Sequence, residues 1–315
     1  MKRFLALIFS LIFIASLSLP SFAIDDPPEV EKCQSAYLYS FANNRVLYEY
    51  NPEKRVYPTS TVKIMTGLLA LEHFAGALDT EVTVTKEMLS KVKGNKLSPS
   101  LTAGEVVTVY GCLVGGANDA AYVLAYATSG NVESFITDMN AKAALIGAYS
   151  TKYTNPTGMH DDAMYTTARD TAQIAIYAQK NEDFARIVKT PKYVMEKTDL
   201  RQYRDIYNRN AMISKFYAAG YYDERAVGIN AGATSSGGYC TVQMMTDSKT
   251  NLSYLAVVMG AEENEAEKKI YSYENAKALL DWAFASFTYT EVLSTDKVVC
   301  EIPVSLSSAV DYVTL

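Results

Sequence analysis

Two pairs of segments that alternate apolar and polar residues lie far apart in the chain, and a long helical block separates the two pairs. Residues 36–41 and 46–50 alternate around Asn43-Asn44, and residues 239–246 and 252–260 do so around a second turn, so both pairs predict β-hairpins. Apolar residues at helical spacing occur at residues 60–74, 107–113, 119–128, 132–145, 167–179 and 262–287. Hairpins so distant in sequence bury their apolar faces most simply in one antiparallel sheet. We therefore predict an α/β (α+β) fold, with an antiparallel sheet flanked by helices and an all-helical lobe beside it.

The first 23 residues have the pattern of a signal peptide. Lys2 and Arg3 precede an apolar run at residues 4–19, and Ser21-Phe22-Ala23 is a small-x-small cleavage sequence. The run is shorter than the roughly 20 residues that span a bilayer, which favours a cleaved signal over the alternative of an uncleaved anchor. We predict that the main domain, residues 24–286, is exported across the cytoplasmic membrane to the extracellular or cell-wall space.

The C-terminal segment, residues 287–315, differs from the domain before it. Residues 298–304 have a strand-like pattern, and a second β-like stretch follows. The segment is too short to bury a core of its own. We expect it to be the start of a small β module that is either incomplete or docked on the main domain.

Charge and cysteine content limit the functions open to the chain. The net charge is −6, which argues against a basic surface for nucleic acid. Cys33, Cys112, Cys240 and Cys300 allow three pairings, and free thiols are an equal alternative. C-x-x-C and H-E-x-x-H are both absent from the sequence, so we predict neither a metal site nor a cofactor.

Ser60-Thr61-Val62-Lys63 is the tetrapeptide that most directly indicates catalysis. A helix that begins near Ser60 places residues three apart on one face, which brings the Lys63 amine beside the Ser60 hydroxyl. A serine hydroxyl reacts only when a neighbour takes its proton, and a desolvated lysine with a lowered pKa can do so. The spacing therefore predicts a serine nucleophile with a lysine base, although S-x-x-K alone is common by chance.

The context of this tetrapeptide resembles one protein family. Residues 57–66, Y-P-T-S-T-V-K-I-M-T, closely resemble the active-site segment of the D-alanyl-D-alanine carboxypeptidases, the low-molecular-weight penicillin-binding proteins of serine peptidase family S11. The resemblance covers about residues 35–290. Its other pieces are Asn118-Asp119-Ala120-Ala121, Asn155-Pro156-Thr157-Gly158, Thr167-Ala168-Arg169-Asp170, Gly232-Ala233-Thr234 and Gly238-Tyr239-Cys240. The resemblance implies a serine β-lactamase/transpeptidase-like fold.

The resemblance also implies acyl transfer on the D-Ala-D-Ala end of peptidoglycan stem peptides. Ser60 would attack the carbonyl between the two D-alanines, and Lys63 would accept its proton. Asn118 would bond either the substrate backbone or Lys63. The oxyanion would be held by backbone N–H groups of Ser60 and of the strand after Gly232, on which Thr234 either contacts substrate or packs in the strand. The implied partners are stem peptides, with β-lactams as covalent inhibitors; the peripheral membrane association found among relatives is not encoded in these residues.

The second and third family motifs are degenerate in this sequence. Ser-x-Asn reads Gly116-Ala117-Asn118, which removes a hydroxyl that would pass a proton to the leaving amine. Lys-Thr-Gly reads Asn230-Ala231-Gly232, which replaces the cation that attracts the substrate carboxylate by a neutral amide. The sequence leaves open whether a basic side chain such as Arg225 moves into the space at position 230. We predict a slow or altered carboxypeptidase, with a non-catalytic peptidoglycan-binding protein of the same fold as the alternative.

Two other classes of serine enzyme are disfavoured. A Ser-His-Asp triad would need His73 or His160, and the sequence contains no G-x-S-x-G nucleophile turn. A class A β-lactamase shares S-x-x-K but needs a glutamate after the second motif to activate the deacylating water. Residues 118–155 contain no segment that matches that requirement.

Overall fold

The computed structural model describes residues 26–75, 80–197, 199–287, 301–303 and 312–314. The predicted signal peptide and Cys300 lie outside these ranges. No helix within them has the length and apolar character that a membrane crossing requires. Cys33, Cys112 and Cys240 are free thiols in this part of the chain.

The strands build one large sheet and several short hairpins. They are β1 (Ser35–Ser40), β2 (Arg45–Tyr50), β3 (Val82–Thr83), β4 (Val106–Val107), β5 (Lys192–Met195), β6 (Arg204–Tyr207), β7 (Ala226–Thr234), β8 (Gly238–Thr246), β9 (Ser253–Ala261), β10 (Glu263–Asn264), β11 (Lys269–Ile270), β12 (Glu301–Pro303) and β13 (Tyr312–Thr314). The large sheet is antiparallel in the order β2-β1-β9-β8-β7. The two predicted hairpins therefore join in one sheet through β1 and β9, as the sequence predicts.

The helices form the lobe beside the sheet and one layer on its other face. A 3₁₀ turn (Thr59–Thr61) leads into α1 (Val62–His73), followed by α2 (Lys86–Leu89), α3 (Val109–Leu113), α4 (Asn118–Ser129), α5 (Val132–Ile146), α6 (Ala168–Ala178), α7 (Glu182–Val188), α8 (Lys215–Ala218) and α9 (Tyr271–Ser286). Several boundaries follow from local chemistry. The Thr167 side chain caps α6, and Gly130 ends α4 in the left-handed conformation.

Both faces of the sheet are buried. On β9, Leu255 and Val257 belong to the core shared with the helical lobe, whereas Ala256 and Val258 belong to the core beneath α9. Alternate residues of a strand point to opposite faces, so one strand contributes to both cores. The sheet thus fixes the position of β7, its edge strand, relative to the helices of the lobe.

The prediction of a continuous helix over residues 262–287 is wrong at its start. Residues 263–270 form the β10-β11 hairpin, and α9 begins only at Tyr271. Residues 262–269 are almost entirely charged or polar, so a helix there would have no apolar face to bury. At the C-terminus, β12 and β13 pair antiparallel within the segment predicted to begin a β module.

Candidate active site

Ser60 lies where the chain turns from the sheet into α1. The 3₁₀ turn follows Pro58, and α1 begins two residues after Ser60. The side chain of Lys63 lies one helical turn on, with its Nζ 3.4 Å from Ser60 Oγ. The structure therefore brings together the hydroxyl and amine that the S-x-x-K spacing predicts.

Lys63 is buried to an unusual degree for a lysine. Its exposure is 1%, and its Nζ donates a 2.7 Å hydrogen bond to the Thr157 carbonyl. Burial lowers its pKa to about 8; the nearby Cys112 thiol opposes this shift, and the charge of Arg209 adds to it. Since desolvation disfavours the charged form, about a tenth of the amine is neutral at pH 7 and can accept a proton.

The loop Asn155-Pro156-Thr157-Gly158 holds this pair in place. Asn155 Oδ1 accepts hydrogen bonds from the backbone N–H groups of Thr157 and Gly158 at 3.1 and 2.9 Å. The Pro156 carbonyl accepts one from Thr66 Oγ1 at 2.7 Å, which ties the loop to α1. The resemblance points to this loop, but only the structure assigns it contact with Lys63.

Gly158 is required by the close approach of two backbones. Its φ is +80°, and a Cβ at this position would lie 1.6 Å from the Thr59 carbonyl oxygen. Thr59 itself has φ +51° in the turn that carries Ser60. Only glycine fits both the conformation and the space.

Gly232 brings the edge strand β7 against the nucleophile. A Cβ at Gly232 would lie 2.5 Å from Ser60 Cβ and 2.7 Å from Ser60 Oγ. Thr234 lies two residues further along β7, and its Oγ1 accepts a 3.0 Å hydrogen bond from the Gly237 N–H in the β7-β8 turn. The structure thus gives Thr234 a role in the turn, and its contact with substrate stays a prediction.

Asn118 begins α4 and is buried beside the cleft. Its backbone N–H donates to the Asn95 carbonyl at 2.7 Å, and its Nδ2 donates to the Lys93 carbonyl at 2.8 Å. The hydrogen bonds of the Lys63 amine go to Ser60 and to the Thr157 carbonyl among the described residues, so its bond with Asn118 stays a prediction. The bond to the substrate backbone stays a prediction.

The two degenerate motif positions differ in what surrounds them. Gly116 has φ +59°, and a Cβ there would lie 3.0 Å from Arg209 Cγ. Asn230 is 5% exposed, and its Oδ1 is buried without a hydrogen-bond partner among the described residues. Arg225 does not occupy this space, because it pairs with Asp223 and Asp281.

His160, one of the two histidines considered for a triad, has other contacts. His160 packs edge-on against Tyr57, with ring centroids 4.5 Å apart, and its Nε2 lies 3.1 Å from Asp162 Oδ1. In the described hydrogen bonds, Ser60 Oγ is paired with Lys63. This geometry matches the lysine-base interpretation.

The chain is similar in sequence and in structure to known D-alanyl-D-alanine carboxypeptidases. A family model described as D-alanyl-D-alanine carboxypeptidase matches residues 23–263. D-alanyl-D-alanine carboxypeptidase DacF of Bacillus subtilis is 28% identical over 319 aligned positions, covering 96% of this chain and 76% of that protein. The D-alanyl-D-alanine carboxypeptidase of Streptomyces sp. strain K15 is 32% identical over 221 positions, covering 65% and 74% respectively. The crystal structure of the Streptomyces K15 DD-transpeptidase aligns with a TM-score of 0.70 at 26% identity, covering 82% of this chain and 99% of that one.

Proposed function

Because this chain belongs to the D-alanyl-D-alanine carboxypeptidase family of serine hydrolases, we propose that it removes the terminal D-alanine of peptidoglycan stem peptides through an acyl-enzyme on Ser60. One observation carries the proposal: the buried Lys63 amine lies 3.4 Å from the Ser60 hydroxyl. This distance lets a neutral amine take the hydroxyl proton as the oxygen attacks.

The acylation step uses the two side chains as nucleophile and base. Ser60 Oγ attacks the carbonyl carbon between the two D-alanines, and its proton passes to Lys63 Nζ. The C–N bond then breaks, and the proton moves from Lys63 to the amine of the departing D-alanine. Water attacks the resulting ester in the second half of the reaction, with Lys63 again as the base, and Ser60 is regenerated.

Backbone donors would stabilise the oxyanion. Ser60 lies at the start of a helix, where backbone N–H groups have no partner within the helix. Strand β7 is the edge of the sheet, so its N–H groups facing away from β8 are open to a ligand. Donors fixed in this way stabilise developing negative charge without reorganisation.

The degenerate motifs are expected to slow this reaction. Gly116 has no hydroxyl to pass a proton to the leaving amine, and Asn230 cannot present a positive charge. Removing one transition-state donor typically costs about 10²- to 10³-fold in rate. Two independent losses would multiply to about 10⁴- to 10⁶-fold; because the effects of residues that act together do not simply add, we expect a combined loss of roughly 10⁴-fold.

The absence of a hydroxyl at Gly116 and of a cation at Asn230 favours a second candidate function. A cleft without these two groups is consistent with a protein that binds stem peptides but no longer turns them over. Both functions place the protein outside the cytoplasmic membrane, where peptidoglycan lies. Both also predict binding of β-lactams, but only the enzyme would form a stable ester with them.

Release of D-alanine from a pentapeptide that ends in D-Ala-D-Ala distinguishes the two functions. We expect slow release by the full exported chain, no release above background by Ser60→Ala, and unchanged release by Ser134→Ala, an exposed serine on α5. Equal release by the wild type and Ser60→Ala would reject the hydrolase and leave the binding protein.

A further inference from the structure

The direction of the substrate along β7 follows from two positions on that strand. Asn230 occupies the motif position that faces the terminal carboxylate of the substrate, and Gly232 is where β7 approaches Ser60. The peptide residues that precede the scissile bond therefore extend past Thr234 toward the β7-β8 turn. Strand residues rise about 3.3 Å each, so this turn begins roughly 10 Å beyond Gly232.

A pocket of about 520 Å³ lies beside the β7-β8 turn. Ser236 of the turn and Tyr57 both line this pocket. The turn also packs on the segment that leads to the nucleophile, because a Cβ at Gly237 would lie 2.5 Å from Thr59 Cγ2 and 3.2 Å from Tyr57 Cβ. The pocket is thus next to the segment that leads to Ser60, at the end of β7 toward which the upstream part of the substrate extends.

Two cations line this pocket, Arg55 and Lys152, and backbone pairing fixes the segments that carry them. Val56 and Thr166 exchange two backbone hydrogen bonds of 2.9 Å. Lys152 and Tyr165 exchange two more, at 2.8 and 3.2 Å. The Arg55 guanidinium carbon lies 4.2 Å from the centre of the Tyr165 ring, a cation–π contact that restrains the side chain.

Neither of these positive charges has an anionic partner in the described part of the chain. No carboxylate there forms a salt bridge with Arg55 or Lys152. Asp162 also lines the pocket, but its carboxylate lies 3.1 Å from His160 Nε2. Two cations without a counterion at one pocket attract an incoming anion.

We propose that Arg55 and Lys152 bind a carboxylate of the stem peptide upstream of the scissile bond. The proposal rests on the hydrolase function proposed above and names a part of the substrate that is recognised in addition to D-Ala-D-Ala. Stem peptides carry a glutamate linked through its side chain two residues before the first of the two D-alanines, so its α-carboxylate is free. An extended chain spans about 3.3–3.6 Å per residue, so this carboxylate lies roughly 10 Å from the scissile bond, similar to the span from Gly232 to the turn.

A second source of the same chemistry is the residue after this glutamate. Where that residue is diaminopimelate, its side chain ends in a further carboxylate. A guanidinium and an ammonium on one pocket bind either carboxylate through charge-assisted hydrogen bonds, so the peptides in the test must separate the two.

Three pentapeptides that end in D-Ala-D-Ala test the proposal. The first has the glutamate α-carboxylate and a lysine after it, the second has the carboxamide in place of that carboxylate, and the third has the carboxamide followed by diaminopimelate. We expect the wild type to prefer the first, the third or both over the second in kcat/KM, which identifies the carboxylate that is bound. Because both cations are exposed, each should contribute about two- to fivefold, so Arg55→Gln/Lys152→Gln should reduce the preference by about 4- to 25-fold.

The ratio between peptides isolates carboxylate recognition from other effects. Arg55 lies five residues before Ser60, so its loss can change the hydrolysis of every peptide, and only the ratio reports on the carboxylate. Arg55→Lys should retain part of the preference because it keeps the charge, and the wild-type preference should shrink as salt is added. Arg45→Gln, an exposed arginine on the edge strand β2, is the matched control and should leave the ratio unchanged. No preference in the wild type, or the same ratio in the double variant, would overturn the proposal.

A binding measurement separates failure of this inference from failure of the enzyme function. Calorimetry with the same peptides compares Ser60→Ala with Ser60→Ala/Arg55→Gln/Lys152→Gln, neither of which forms the acyl-enzyme. If the wild type lacks turnover but Ser60→Ala prefers a peptide with an upstream carboxylate through the two cations, only the hydrolase function is rejected. If the preference in binding is the same with and without the two cations, the proposed carboxylate site is rejected.

Discussion

The lowered pKa of Lys63 predicts the pH profile of acylation at Ser60. Only the neutral amine can take the hydroxyl proton, so the rate follows its neutral fraction. With a pKa of about 8, that fraction is about 1% at pH 6, about 9% at pH 7, about 50% at pH 8 and about 90% at pH 9. Acylation should therefore accelerate about tenfold from pH 6 to 7, about fivefold from pH 7 to 8, and less than about twofold from pH 8 to 9.

Stopped-time labelling with a fluorescent penicillin over this pH range measures the profile directly. Lys63→Arg retains a cation but cannot lose its proton, so it should not be labelled at any of these pH values. Arg209→Gln removes a positive charge that lowers the Lys63 pKa, so its midpoint should move to higher pH. A wild-type rate that still rises tenfold per pH unit at pH 9 would show an ordinary lysine and refute the reasoning.

Two substitutions test the packing around the pair. Gly158→Ala should lower the free energy of unfolding by about 3 kcal/mol or more, because its Cβ meets the Thr59 carbonyl; Gly130→Ala, with a similar φ and nothing within 4 Å, should cost only about 1 kcal/mol. Urea unfolding measures both, and equal costs would contradict the close approach. Lys63→Met removes a buried amine whose folded pKa lies below its unfolded value, so the free energy of unfolding of the wild type should rise relative to the variant by roughly 2 to 3 kcal/mol from pH 7 to 10. A pH-independent difference would contradict the burial of the charge.

Much of the fold could be predicted because its elements have strong local patterns. The hairpin formed by β1 and β2 and the start of helical structure near Ser60 follow from alternation, turn residues and helical spacing. Residues 262–270 were less predictable because a charged run is compatible with both a solvated helix and a polar hairpin. The β5-β6 hairpin has buried Arg204 and Ile206 within a polar sequence, so its local pattern does not indicate a strand pair.

The chemistry at Ser60 was predictable in part for a similar reason. Ser60 and Lys63 meet through a local helical spacing, which the sequence contains. The contacts of Lys63 with Thr157 and of Gly158 with Thr59 join segments about 100 residues apart, and only tertiary packing creates them. The position of Arg209 over Gly116 likewise depends on how the segment after β6 crosses the lobe.

The central claim is that Ser60 is a nucleophile activated by Lys63, and its most direct test is peptide mapping by mass spectrometry after incubation with a penicillin. We predict a single acyl adduct on the peptide that contains Ser60, absent from Ser60→Ala and from Lys63→Met. An unmodified Ser60 peptide in the wild type, under conditions that label a family enzyme, would contradict the claim.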